Sequence, residues 1–242
     1  MKRVEWALAK AGYRVVNASY PSARLSVENA ADHWLAGLLE ERTPDRSVKI
    51  HFVTHSLGGI VLRHYLLNHK LDNLGRVVML APPNRGSELA DKLKHNIVFK
   101  LLTGPAGQQL GTDSGSLPNS LGPACFELGI IAGERSFNPW FSAWLPGPND
   151  GKVSVQSAGL EGMRDFLIVR YSHTWMAWSK EVAAAVIQFV QNGHFLANHP
   201  GLKLPPGDAP VSECHASAWE IAISVSLGKL RLGLPSFRVL FY

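Results

Sequence analysis

The sequence predicts an α/β fold with a mostly parallel central sheet, and three observations carry that prediction. Segments of helical and strand-like character alternate along the chain. The strand-like runs are apolar on both faces, as in strands covered on two sides by crossover helices. The loops rich in glycine, serine and histidine come after those strands, where open α/β sheets build their sites.

The elements read off in order. Residues 3–10 form an amphipathic helix, closed by Gly12. Residues 13–20 (YRVVNASY) are rich in β-branched and aromatic side chains and stop at Pro21, which suits a strand. Residues 28–42 form the next helix, with Ala31, Leu35, Leu38 and Leu39 at helical spacing. Residues 48–53 (VKIHFV) are a short buried strand that runs straight into His55-Ser56-Leu57-Gly58-Gly59. Residues 60–68 are helical, and 76–80 (RVVML) form a strand ended by Pro82-Pro83. Residues 128–132 and 166–169 are the next strands, and 181–191 a closing helix.

Two stretches depart from the alternation. Residues 86–126 are rich in Gly, Ser and Leu and too long for an ordinary connection, so they suit a cap or lid insertion. From Leu196 the prolines at 200, 205, 206 and 210 come quickly, and no further α/β unit can be read. The chain thus divides into a domain over 1–195 and a C-terminal appendage over 196–242.

Composition narrows the classes. The 242 residues are 46% hydrophobic and 18% charged, ordinary for a globular protein and against disorder. A net charge of +5 is modest, and the basic residues are scattered without the aromatic-interleaved stripe that nucleic acid would need. Two cysteines, Cys125 and Cys214, are too few for a disulfide framework and lack metal-ligand spacing. None of the ten histidines sits in an H-E-x-x-H arrangement, so no metal and no cofactor are expected. Met1-Lys2-Arg3 looks like the start of a signal peptide, but Glu5 and Lys10 interrupt the apolar run it would need. No apolar run is long enough to cross a membrane. The expectation is a soluble, cytoplasmic protein without stable membrane insertion.

The join between Val53 and Gly59 carries the chemistry. An apolar strand ends, Ser56 sits between His55 and Leu57, two glycines come next and a helix begins. That is the layout of a nucleophile elbow, where a strained turn lifts the serine Oγ clear of the sheet. The Leu57 backbone N–H then faces the place where a carbonyl oxygen would become an oxyanion, and the helix N-terminus adds positive potential. The usual first glycine is Thr54 here, which crowds the turn. Adjacent residues at such a turn diverge, so His55 reads as a packing or hydrogen-bonding residue. His51 and His64 read as structural.

A serine hydroxyl needs a neutral imidazole to take its proton, and the imidazole needs a carboxylate to fix its tautomer. In this layout the acid and then the histidine come after the serine in the chain. Asp150, in the loop GPNDGKVS, and His173, just after the strand 166–169, fill those places. N-D-G is also a common turn sequence, and Asp165 and Asp113 are the fallback acids.

At these residues the chain resembles bacterial lipases and esterases of the α/β-hydrolase superfamily. The matching stretches are HFVTHSLGGIVLRHYL, VVMLAPPNRGSELAD, PNDGKVSV and YSHTWM. The resemblance implies an α/β-hydrolase fold and a carboxylic ester hydrolase acting through an acyl-enzyme, on a small-molecule ester or lipid. It implies that Thr54 is a tolerated variant, that Asp150 and His173 complete a triad with Ser56, and that the Pro82-Pro83 segment lines the site. His55, Pro82 and Pro83 are thereby candidate substrate contacts. Trp140, Phe141 and Trp144 suit either an acyl pocket or core. The family also begins with a strand ending in His-Gly, whose loop supplies a second oxyanion donor. That strand has no counterpart before residue 3, so the fold is expected to lack its first strand or strands, with the tail covering the vacated surface. Rival readings are an acyltransferase or thioesterase on the same site, and an impaired hydrolase that only binds lipid or a partner.

Overall fold

A computed structural model describes residues 1–137 and 139–195 and the backbone of 238–241; of residues 97–102 it describes the backbone alone. The chain opens with helix α1 (Lys2–Lys10), strand β1 (Arg14–Asn17) and helix α2 (Val27–Asn29), capped by the Ser26 hydroxyl. That helix continues through a π-helical stretch, Ala30–Leu35, into α3 (Ala36–Arg42). Strand β2 (Ile50–His55), helix α4 (Leu57–Asn68) and strand β3 (Leu74–Leu80) form the central crossover. Strand β2 lies slightly further along the chain than its sequence-predicted bounds, whereas α4 and β3 begin earlier than theirs. Helix propensity drops at Ser56 and Gly58-Gly59, yet α4 starts there, because the turn rather than propensity sets its beginning.

Between β3 and strand β4 (Leu128–Gly133) lie helices α5 (Glu88–Leu93), α6 (Ile97–Gln108) and α7 (Leu117–Ser120). The helix α6 bends at Gly104, whose φ of 62° lets the backbone pass against Ala23. This long connection is fastened to the body: the Gln109 side chain accepts from the Val27 N–H, and Ala106, Leu121 and Ala124 are buried in the core. Short helices α8 (Pro139–Ser142) and α9 (Val155–Ala158) flank the loop that carries Asp150. Strand β5 (Asp165–Val169), a 3-10 turn at Trp175–Trp178 and helix α10 (Lys180–Asn192), ended by Gly193 with a left-handed φ, come next.

The sheet order is β1-β6-β2-β3-β4-β5, and every pairing is parallel. Successive side chains of a strand point to opposite faces, and the core divides accordingly. Phe52, Met79 and Ile130 pack with α2–α4, while Val53, Val78, Leu80 and Ile131 pack under α1 and α10. This is why the strand runs are apolar throughout.

Strand β6 (Arg238–Phe241) lies between β1 and β2, in parallel register with both. The sheet position between β1 and β2 is thus filled by residues from the C-terminal side of the chain. The remainder of the predicted appendage, 196–237, lies outside the described residues. Cys125 is disulfide-bonded, and the other cysteine of the chain, Cys214, also lies outside them. Among the described residues no helix is long and apolar enough to cross a membrane, and no cluster of side chains is arranged to hold a metal ion.

Candidate active site

Ser56 occupies the turn between β2 and α4 with φ 54° and ψ −125°, a conformation that side-chain-bearing residues rarely adopt. The turn is held from both sides. The Ser56 N–H donates to the Leu80 carbonyl at the end of β3, and the Gly59 N–H donates back to the Ser56 carbonyl. A Cβ at Gly59 would meet Met79 Sδ and Pro82 Cβ, each at 3.1 Å, so the second glycine is what lets α4 approach the sheet. Thr54 is fully buried at the position usually taken by glycine, and its Oγ1 has no hydrogen-bond partner. Leu57 opens α4, in the first turn where backbone N–H groups have no partner within the helix.

Asp150 and His173 meet at the same end of the sheet. The His173 Nδ1–H donates to Asp150 Oδ2 over 2.7 Å, and the His173 N–H donates to the Asp150 carbonyl over 3.0 Å. The other carboxylate oxygen, Oδ1, accepts the N–H groups of Lys152 (2.9 Å) and Val153 (2.8 Å). Both residues are buried. The N-D-G turn supplies this geometry: Asn149 Oδ1 accepts the Gly151 N–H, and Gly151 takes a positive φ of 93°. The turn reading and the acid reading thus describe one loop.

The neighbours of Ser56 are equally defined. The His55 Nε2–H donates to the His173 carbonyl over 3.0 Å, and the two rings lie 4.7 Å apart, tilted. Burial, reinforced by the nearby His173, pushes the His55 pKa down to about 3, so the ring is a neutral donor. His173 and Asp150 line an open cavity of about 340 Å³ together with Leu89, Phe137, Phe141 and Trp175.

The other candidates fall elsewhere. Pro82 and Pro83 are buried, Pro82 against the elbow, and like Ser56 and Leu57 they are not among the residues lining the cavity. Asp165 stands at the start of β5, its carboxylate accepting the N–H groups of Phe166 and Phe195, at the opposite end of the sheet. Asp113 caps an exposed turn at Gly115. His51 accepts the Arg76 N–H at the amino end of β2, and His64 lies beside Asp32 on α4. Trp140 and Trp144 are neither core nor buried wall: Trp140 is 80% exposed and Trp144 40%.

Two residues of the site region escaped the sequence. Gly133 ends β4 where a Cβ would sit 2.4 Å from the Tyr171 carbonyl oxygen and 2.8 Å from Asp150 Cβ. Arg63 reaches from α4 to the Asn84 carbonyl (3.0 Å) and the Gly122 carbonyl (2.8 Å), and so fixes the loop after β3. Its burial lowers its pKa to about 10. A charged residue on an otherwise apolar helix is the signal that could have found Arg63; an isolated glycine at a strand end is too common to find Gly133.

No protein-family description and no curated protein matches the chain in sequence. In structure it is similar to phospholipase PlaB of Legionella pneumophila, at 16% identity over 73% of this chain and 51% of that one, with a TM-score of 0.56. A looser likeness joins it to lipase BlEst2 of Bacillus licheniformis. The mature form matches at 22% identity over 64% of this chain and 69% of that one, TM-score 0.48. The propeptide form matches at 22% over 62% and 37%, TM-score 0.49. The chain therefore spans about half of PlaB and little over a third of the BlEst2 propeptide form. Parallel sheet, crossover helices and the likeness to PlaB together give the chain an α/β-hydrolase fold.

Proposed function

We propose that the chain is a serine ester hydrolase acting on carboxylic esters or lipids. The observation that carries this reading is the buried 2.7 Å bond from His173 to Asp150, with the His173 carbonyl held by His55, the residue before a serine at positive φ. In the proposed reaction His173 takes the Ser56 hydroxyl proton as Oγ attacks the ester carbonyl. Asp150 keeps the proton on His173 Nδ1 and stabilises the imidazolium. The Leu57 N–H receives the oxyanion. The tetrahedral intermediate collapses to an acyl-serine, His173 passes its proton to the departing alcohol, and water repeats the sequence to release the acid. His55 acts through His173, holding its backbone, as a positioning residue.

Hydrolysis of p-nitrophenyl esters of graded acyl length tests the reading. Wild type should turn over, Ser56→Ala should not, and Asp150→Asn should lose about three to four powers of ten in kcat because the amide presents N–H groups to Nδ1. Folded wild type without turnover on any ester would overturn it.

A further inference from the structure

The mouth of the cavity beside His173 is rimmed by aromatic side chains that the fold leaves in solvent. Phe137 is 66% exposed, Trp140 80%, Trp144 40% and Trp175 61%. They do not lie scattered. Phe137, Phe141 and Trp175 line the cavity itself, and Phe141 packs on Trp144 with ring centroids 5.8 Å apart. Trp140 stands on the same short helix, α8, as Phe141. Isolated exposed apolar residues are ordinary, but a contiguous set around one opening marks a surface that meets something apolar.

Cations are interleaved with these rings. Lys92 Nζ lies 5.7 Å from the Trp144 ring centroid, the Arg135 guanidinium 5.4 Å from that of Phe137, and exposed Lys152 lines the cavity. Carboxylates stand close by as well. Glu134 lies 4.0 Å from Arg170, and Asp91 accepts the Thr112 hydroxyl and N–H. The rim thus sets lysine and arginine beside its aromatic rings, on a chain of net charge +5. Amphipathic aromatic rings settle at the headgroup level of a bilayer, and lysine and arginine beside them meet anionic lipid.

We propose that this rim docks the protein on an anionic phospholipid surface, with Trp140 and Trp144 entering the headgroup region and Lys92 and Arg135 meeting lipid phosphates. The proposal rests on the ester-hydrolase reading for its purpose, since docking would bring a lipid ester to the opening beside His173. The docking itself does not require the reaction. Neither Trp140 nor Lys92 is among the residues that line the cavity with Asp150 and His173.

Co-sedimentation of the full chain with vesicles tests it, using phosphatidylcholine alone and phosphatidylcholine mixed with phosphatidylglycerol. Wild type is expected to sediment with the mixed vesicles and to stay in solution with phosphatidylcholine alone. Lys92→Ser should weaken binding to the mixed vesicles about fivefold. Trp140→Ser should weaken it at least as much while keeping wild-type turnover of a water-soluble ester. Ser56→Ala should sediment like wild type, so a failure of the hydrolase reading leaves the docking result standing on its own. Equal binding to both vesicle types, no binding to either, or undiminished binding by both Trp140→Ser and Lys92→Ser would overturn the proposal.

Discussion

The His55 Nε2–H donates to the backbone carbonyl of His173 across 3.0 Å, so the residue just before the serine holds the residue that carries the imidazole. This bond ties β2 to the loop after β5, past the intervening strands β3 and β4. On the proposed mechanism, His55→Ala lets the His173 backbone drift and lowers kcat by about ten- to a hundredfold, with KM little changed. His55→Gln, whose amide can still donate, should recover part of the loss. Steady-state kinetics on a soluble ester read both. A His55→Ala variant as inactive as Ser56→Ala would assign His55 more than a positioning part.

Two buried imidazoles make stability depend on pH. Burial chiefly lowers the pKa of His51 to about 4 and that of His55 to about 3. A histidine in the unfolded chain titrates near 6.5, so between roughly pH 6.5 and those values the unfolded state binds more protons. Their contribution is complete above that window and is lost as pH falls through it. Urea midpoints should therefore fall from pH 7 to pH 5, and His51→Gln should flatten the fall. An unchanged slope in that variant would show that other groups set it.

Much of this was legible in the sequence because it rests on local demands. The strand into T-H-S-L-G-G, the N-D-G turn and the histidine after β5 all advertise themselves by residue type, and a hydrogen bond joins His173 to Asp150. The illegible part depends on tertiary packing. Residues 238–241 pair between β1 and β2 across a long stretch of chain, with no periodicity to announce it. That Pro82 props the elbow and that Trp140 faces solvent are questions of direction, which neither residue type nor spacing decides.

Gly133 is where the acid loop meets the sheet most closely. A Cβ there would press on the Tyr171 carbonyl and on Asp150 Cβ, and both are backbone or near-backbone atoms with little room to yield. Gly133→Ala is expected to cost about 1–3 kcal/mol of stability. It should also cost ester turnover at temperatures where the variant is still folded, as Asp150 shifts away from His173. Thermal unfolding and kinetics on the same sample separate the two losses. Unaltered turnover in the folded variant would mean that the acid tolerates displacement.

Thr54 carries a buried hydroxyl without a partner in the turn below Ser56. Thr54→Val keeps the shape and removes the orphaned polar atom, whose desolvation costs about 1–3 kcal/mol. The variant should be as stable as wild type or more so, with turnover preserved. A marked drop in melting temperature would show that the hydroxyl is satisfied in solution.

The nucleophile itself is the central claim, and covalent labelling tests it most directly. A fluorophosphonate probe should add one phosphonyl group to the chain, located by peptide mass mapping on Ser56. The adduct should be absent in Ser56→Ala and slowed by orders of magnitude in His173→Ala. Folded wild type that takes up no label, or takes it up at another residue, would contradict the account.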